Sequence, residues 1–128
     1  MLVYRPNKRK PRKCGSAARM SEALTLHHLE YSQSFRVLWM LEELGSPYEL
    51  IVYTRDAKTM AAPDDYKDLS PLGTAPVITQ GEMALAESSA IMDYILDRTP
   101  NQSLRPASDS PDRTRYLFWW HVAQGSMM

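Results

Sequence analysis

Three short stretches hold residue types whose spacing suits them to bind and activate a small polar ligand. The first is Glu30-Tyr31-Ser32-Gln33-Ser34, which places Tyr31, Ser32 and Ser34 just ahead of a helical pattern. A serine at a helix start can donate to a thiolate and lower the thiol's pKa, aided by the free amides and dipole of the helix N-terminus. The second is Ser70-Pro71-Leu72-Gly73-Thr74-Ala75-Pro76-Val77-Ile78. A cis bond at Ala75-Pro76 would turn the Ala75 amide and carbonyl toward a ligand, where they can pair with the backbone of a peptide. The third is Ala86-Glu87-Ser88-Ser89-Ala90-Ile91. It suits an α-amino acid, with amides and a hydroxyl for its carboxylate and Glu87 for its ammonium. Each stretch also has a plainer reading: Ser32 and Ser88 as helix caps, Pro76 as a trans proline in an ordinary turn, although a proline may also open a strand at a sheet edge.

These stretches need elements to hold them. Ala23 to Leu29 is a short β-rich run. Val37, Met40, Leu41 and Leu44 then fall at i, i+3, i+4 and i+7, the apolar face of a helix that Gly45 and Pro47 end. Tyr48 to Thr54 is β-branched and aromatic, a second strand reached by one crossover, hence parallel to the first. A weak helical turn follows at Asp64 to Leu69. Pro76 to Thr79 and Met83 to Ala86 stand too close for a crossover and predict an antiparallel hairpin. From Ser88 a helix turns Ile91, Tyr94 and Ile95 inward and stops near Thr99-Pro100. The order is βαβαββα, an α/β fold.

Residues 101–111 read as a polar linker, and residues 112–128 as a further helix with Tyr116, Trp119, Trp120, Ala123 and Met127 on one apolar face. That face must pack on something. The pattern predicts that the linker carries this helix away from the sheet domain, as the first helix of a truncated all-α domain. A chain ending at Met128 is then expected to turn over poorly, with half its site wall missing, and to associate through the tryptophans.

Composition removes several functions. The formal charge is zero, but residues 1–19 hold seven Lys or Arg and no acid, leaving eight basic against fifteen acidic residues beyond them. A body this acidic is no nucleic-acid surface. No apolar run is long enough to span a membrane. One cysteine, Cys14, excludes a Cys-x-x-Cys redox pair, and three histidines argue against a metal cage. Adjacent His27 and His28 in a strand face opposite sides, one at the core edge and one in solvent. Residues 1–20 read as a disordered basic arm. It could be a nuclear or mitochondrial targeting segment, or translation upstream of a start at Met20.

Taken together, Leu26 to Trp39, Ser70 to Val77, and Glu87 to Ile91 followed by Tyr94 resemble the N-terminal domain of glutathione S-transferases of the fungal and bacterial kinds. The resemblance covers residues 23–100, and residues 112–128 look like the first helix of the family's helical C-terminal domain. It implies a thioredoxin-like domain at 21–100 that binds glutathione as a substrate, with no metal. It also implies a cytoplasmic detoxifying transferase acting on a small electrophile, homodimeric at full length. By the same resemblance Ser32 is the catalytic serine that stabilises the glutathione thiolate, with Ser34 and Tyr31 as alternatives. Ala75 and Pro76 match the residues that pair with the cysteinyl backbone. Thr74 stands where members often carry a lysine or glutamine for the glycyl end, and Glu87 and Ser88 match the pair that holds the γ-glutamyl end. The alternative is a binding or scaffolding module that keeps this fold without turnover.

Overall fold

The computed structural model describes residues 23–127. The expected basic arm over residues 1–20 lies outside the described residues. Strands β1 (Thr25–Leu29), β2 (Glu49–Tyr53), β3 (Val77–Gln80) and β4 (Met83–Ala86) form one sheet in the order β2-β1-β3-β4. Helix α1 (Ser34–Leu44) crosses from β1 to the parallel strand β2, and the short α2 (Asp64–Lys67) leads to β3. Strands β3 and β4 make the expected hairpin, with Gln80 opposite Met83 and Gly81 at φ 59° in the two-residue turn. Helix α3 (Ser88–Arg98) then closes a thioredoxin-like βαβαββα fold.

The apolar periodicities set the two faces of the sheet. On one, Leu26, Ile78 and Leu85 meet Val37, Met40, Leu41 and Leu44 of α1 and Ile91, Ile95 and Leu96 of α3. On the other, Leu29 and Val77 pack on Tyr66 of α2. Each large apolar side chain so buried stabilises the fold by roughly 1.5–3 kcal/mol relative to an exposed one. Gly45 ends α1 in the left-handed region at φ 62°, with its amide donating to the Glu42 carbonyl and that of Ser46 to the Leu41 carbonyl. Edge strand β2 gains little cover: Leu50, Ile51 and Val52 are exposed.

Several details depart from the sequence pattern. Proline at 76 does not open an edge strand, because β3 lies between β1 and β4. It precedes the ladder, whose first residue Val77 already pairs with His27 and Ala86, so its missing N–H costs no sheet bond. Ser88 is the first helical residue of α3, and Glu87 occupies the cap position without a side-chain cap bond. Helix α4 (Arg113–His121) starts after Pro111 and passes into a π-helical turn, Val122–Ser126. It is not carried away from the sheet domain. Trp120 packs against the α1–α3 core, and Arg36 of α1 donates to the Ala123 carbonyl and to Gln124. A helix turns about 100° per residue, so Tyr116 and Trp120 share a half-buried stripe, their rings stacked at 5.6 Å. Leu117, Phe118, Trp119 and Met127 are the large apolar residues left exposed at this end, with the small Ala123 exposed beside them. Among the described residues no helix is long and apolar enough to cross a membrane.

Candidate functional site

Strands β1, β2 and β4 run parallel and β3 runs against them. The C-terminal ends of the first three and the N-terminal end of β3 therefore share one edge of the sheet. That edge receives Tyr31, Ser32 and Ser34, then Arg55, then Ala75 and Pro76, then Glu87 and Ser88. An open cleft of about 970 Å3 lies there, lined by residues including His28, Tyr31, Ser32, Phe35, Arg36, Arg55, Lys67, Thr74 and Ala75. Glu87 and Ser88 do not line it. They stand at the same end of the sheet, with Glu87 exposed and Ser88 buried.

The turn after β1 is held by hydroxyls rather than by an apolar staple. Ser32 Oγ donates to the Leu29 carbonyl at 2.6 Å and accepts from the Ser34 amide at 3.2 Å. It also lies 2.7 Å from Ser34 Oγ. Ser34 is fully buried, accepts from the Leu29 amide at 3.2 Å, and lies 2.7 Å from Nδ1 of His28. Ser32 is not the cap residue foreseen: Gln33 takes the cap position of α1 without a side-chain cap bond, and the Ser32 hydroxyl, one residue earlier, accepts from the first helical amide while lying on the cleft. Tyr31 sits at φ 55° and is 86% exposed, with no cover over its ring.

The two histidines do face opposite sides, but neither simply meets solvent. His27 is buried, with Nδ1 3.0 Å from the Tyr53 hydroxyl and Nε2 2.9 Å from Thr79 Oγ1. Burial holds its pKa below the ordinary 6.5. His28 is half-buried and tied to Ser34 instead. The expectation of a solvent-facing ring holds only in part: His28 lines the open cleft, but the serine cluster after β1 folds back onto the strand's last residues and holds its Nδ1.

The Ala75–Pro76 peptide is cis, Ala75 lines the cleft and Pro76 is buried. Thr74 is exposed beside it. Arg55 reaches across from β2, donating through Nε to the Glu30 carbonyl and through Nη1 to the Met60 carbonyl, both at 2.8 Å. Among the described residues Arg36, Arg55 and Lys67 line the cleft and no Asp or Glu does; Lys67 is paired with Asp64 at 2.8 Å, so the field that favours an anion comes chiefly from the two arginines. Those cations, and His28, escape a sequence reading. Arg36 reads only as part of the polar face of α1, Arg55 as a loop charge and Lys67 as part of a weak helical turn, and nothing local says that a later strand and helix bring them to Ser32.

At the third turn Glu87 lies at φ 76°, ψ 117°, a backbone region that a side-chain-bearing residue rarely adopts. Such outliers cluster where a structure aims a group at a ligand. The Ser88 hydroxyl donates to Oε1 of Gln124 at 3.5 Å, the same oxygen that accepts from Arg36 at 3.2 Å. Gln124 thus links the first and third turns from the π-helical turn that follows α4. No metal-ligating cluster exists among the described residues.

A parallel β1–α1–β2 unit joined to a β3–β4 hairpin, with a cis-proline loop facing a hydroxyl-bearing helix start, defines a thioredoxin-like domain. The family model for the glutathione S-transferase N-terminal domain matches residues 32–98, just over half of the chain. The chain belongs to the glutathione S-transferase family. It is 39% identical over 107 residues to glutathione S-transferase 3 of Schizosaccharomyces pombe, matching 82% of this chain and 43% of that one. A glutathione S-transferase structure from Actinobacillus pleuropneumoniae superposes with a TM-score of 0.69 at 41% identity, covering 75% of this chain and 45% of the other. A family member from Pseudomonas fluorescens, solved with two glutathione bound, gives a TM-score of 0.64 at 27% identity over 84% of this chain and 48% of its own. The chain spans about half the length of these relatives.

Proposed function

We propose that this chain binds glutathione in the cleft at the sheet edge and activates its thiol for attack on a small electrophile. The observation that carries the reading is the Ser32 hydroxyl, set on the cleft wall at the N-terminus of α1 among Arg36, Arg55 and Lys67. A free thiol with a pKa of about 8.5 is only a few per cent thiolate at neutral pH. Lowering that pKa by about two units needs about 2.7 kcal/mol of preference for the anion. A charge-assisted hydrogen bond contributes about 1.5–3 kcal/mol and a helix N-terminus about 0.3–1 kcal/mol, so Ser32 and α1 together suffice. The sulfur then forms a bond to the electrophilic carbon as a leaving group departs with the bonding pair.

In this reading the Ala75 backbone pairs with the cysteinyl unit ahead of Pro76. Thr74 stands near the glycyl end, and Glu87 and Ser88 hold the γ-glutamyl ammonium and carboxylate. Residues 21–100 form the glutathione-binding unit, 101–111 the linker, and 112–128 the first helix of a helical domain that walls the electrophile site. The working enzyme is a cytoplasmic homodimer with a detoxifying role. Glutathione bound in the Pseudomonas fluorescens relative supports the ligand, and the relatives' names support the transfer reaction over a scaffolding role.

Isothermal calorimetry of the protein with glutathione tests the proposal. Saturable heat in the micromolar to millimolar range is expected. A folded protein that gives none at millimolar glutathione would end it.

A further inference from the structure

The hydrogen bonds after β1 leave a choice of direction that His28 controls. The Leu29 amide can only donate, and fills one lone pair of Ser34 Oγ. The Ser34 amide likewise fills one lone pair of Ser32 Oγ. Each hydroxyl then has one lone pair and one proton to place. If His28 Nδ1 bears no proton it can only accept. Ser34 then gives its proton to His28 at 2.7 Å rather than to the Leu29 carbonyl at 3.2 Å. The 2.7 Å contact between the two hydroxyls would oppose two lone pairs unless the proton of Ser32 turns into it, away from the Leu29 carbonyl and from a ligand. If Nδ1 bears the proton, the order inverts. His28 donates to Ser34, the proton of Ser34 takes the shorter contact to Ser32 at 2.7 Å over the Leu29 carbonyl at 3.2 Å, and both lone pairs of Ser32 are filled. The Ser32 proton is left for the Leu29 carbonyl or for an anion in the cleft.

We propose that His28 is a positioning residue which, by donating from Nδ1 to the buried Ser34, turns the Ser32 hydroxyl proton toward the glutathione sulfur. The proposal rests on the role given above to Ser32 and adds its direction. A thiolate is a stronger acceptor than a carbonyl, so it competes for that proton, and bonds donating in series strengthen one another. The imidazole can carry its N–H on either nitrogen, and a thiolate in the cleft selects the Nδ1 form. His28 itself does not touch sulfur. It acts through Ser34, whose complete burial keeps water from taking the place of the middle hydroxyl of the chain.

The test uses two polar replacements of similar size. Asparagine places its amide nitrogen where Nδ1 stands, and glutamine places it one carbon further out. Bound glutathione is titrated by its thiolate ultraviolet absorbance in the wild type, His28→Asn and His28→Gln. His28→Asn is expected to titrate with the wild type. His28→Gln is expected to shift the thiol upward by about half a unit to one unit, the size of one reoriented hydrogen bond. Its affinity for glutathione should change less than its thiol pKa. Adding Ser34→Ala to His28→Gln should shift the thiol little further, since both break the same chain. Equal behaviour of the Asn and Gln variants, shifted or unshifted, overturns the role of His28 while leaving that of Ser32 standing. A wild type that binds glutathione without lowering its thiol pKa, or binds none, overturns both.

Discussion

Where β1 ends, Ser32 and Ser34 are bonded to each other, to His28 and to the backbone of Leu29. Where β4 ends, Ser88 opens a helix in the same way, but among the described residues its hydroxyl reaches only Gln124 on the segment after α4, at 3.5 Å. Both turns join a strand to a helix N-terminus at one edge of one sheet. The first is completed within a few residues of chain and the second from 36 residues away. A turn closed by its own neighbours is rigid as soon as the sheet forms. A turn closed by a distant helix is only as ordered as that helix's packing, and α4 has no buried residue of its own.

The largest effect expected from this contrast is at Ser32. Replacing it with alanine should lower turnover with an aryl halide by about 10- to 1000-fold, the range for losing one donor to a developing charge. Steady-state kinetics together with the bound-thiol titration read this directly. A loss confined to KM would put the anion on the cations of the cleft instead.

Next comes Ser34→Ala. It leaves the Leu29 amide and His28 Nδ1 without their buried partner and should cost about 1–3 kcal/mol of stability, measured by urea unfolding. A neutral result would mean that water enters the first turn and that it is no more self-contained than the second.

His27 checks the opposite face of β1. Burial keeps its pKa below 6.5 when folded, so the unfolded chain takes up a proton that the folded one refuses. Stability from this group is full above that value and falls as pH drops below it. Unfolding midpoints measured on either side of it should show the loss, and His27→Gln should remove it. Activity per folded molecule should be unaffected by that change if the two faces of β1 are independent.

The smallest effect is at the second turn. Gln124→Ala should weaken glutathione binding by about two- to fivefold, as for one partly exposed hydrogen bond, and leave the bound thiol's pKa in place. A shift of the thiol would show that α4 governs the first turn as well, through Arg36.

Local chemistry determined much of this molecule. The spacing of Val37, Met40, Leu41 and Leu44, the left-handed Gly45, and the two apolar runs flanking Gln80-Gly81-Glu82 each specify an element from within a few residues. Because a parallel crossover and a tight hairpin admit few arrangements, the βαβαββα order followed, and with it the sheet edge that collects Ser32, Ala75 and Glu87. Tertiary structure decided what periodicity does not encode. That Pro76 stands before an interior strand depends on which strand β3 pairs with. That His28 meets Ser34 depends on a turn folding back on its own strand, and that Arg36, Arg55 and Lys67 share a cleft depends on elements distant in sequence. The side chain's surroundings in each case are set by contacts between elements, whose energies depend on distances that a linear pattern does not contain.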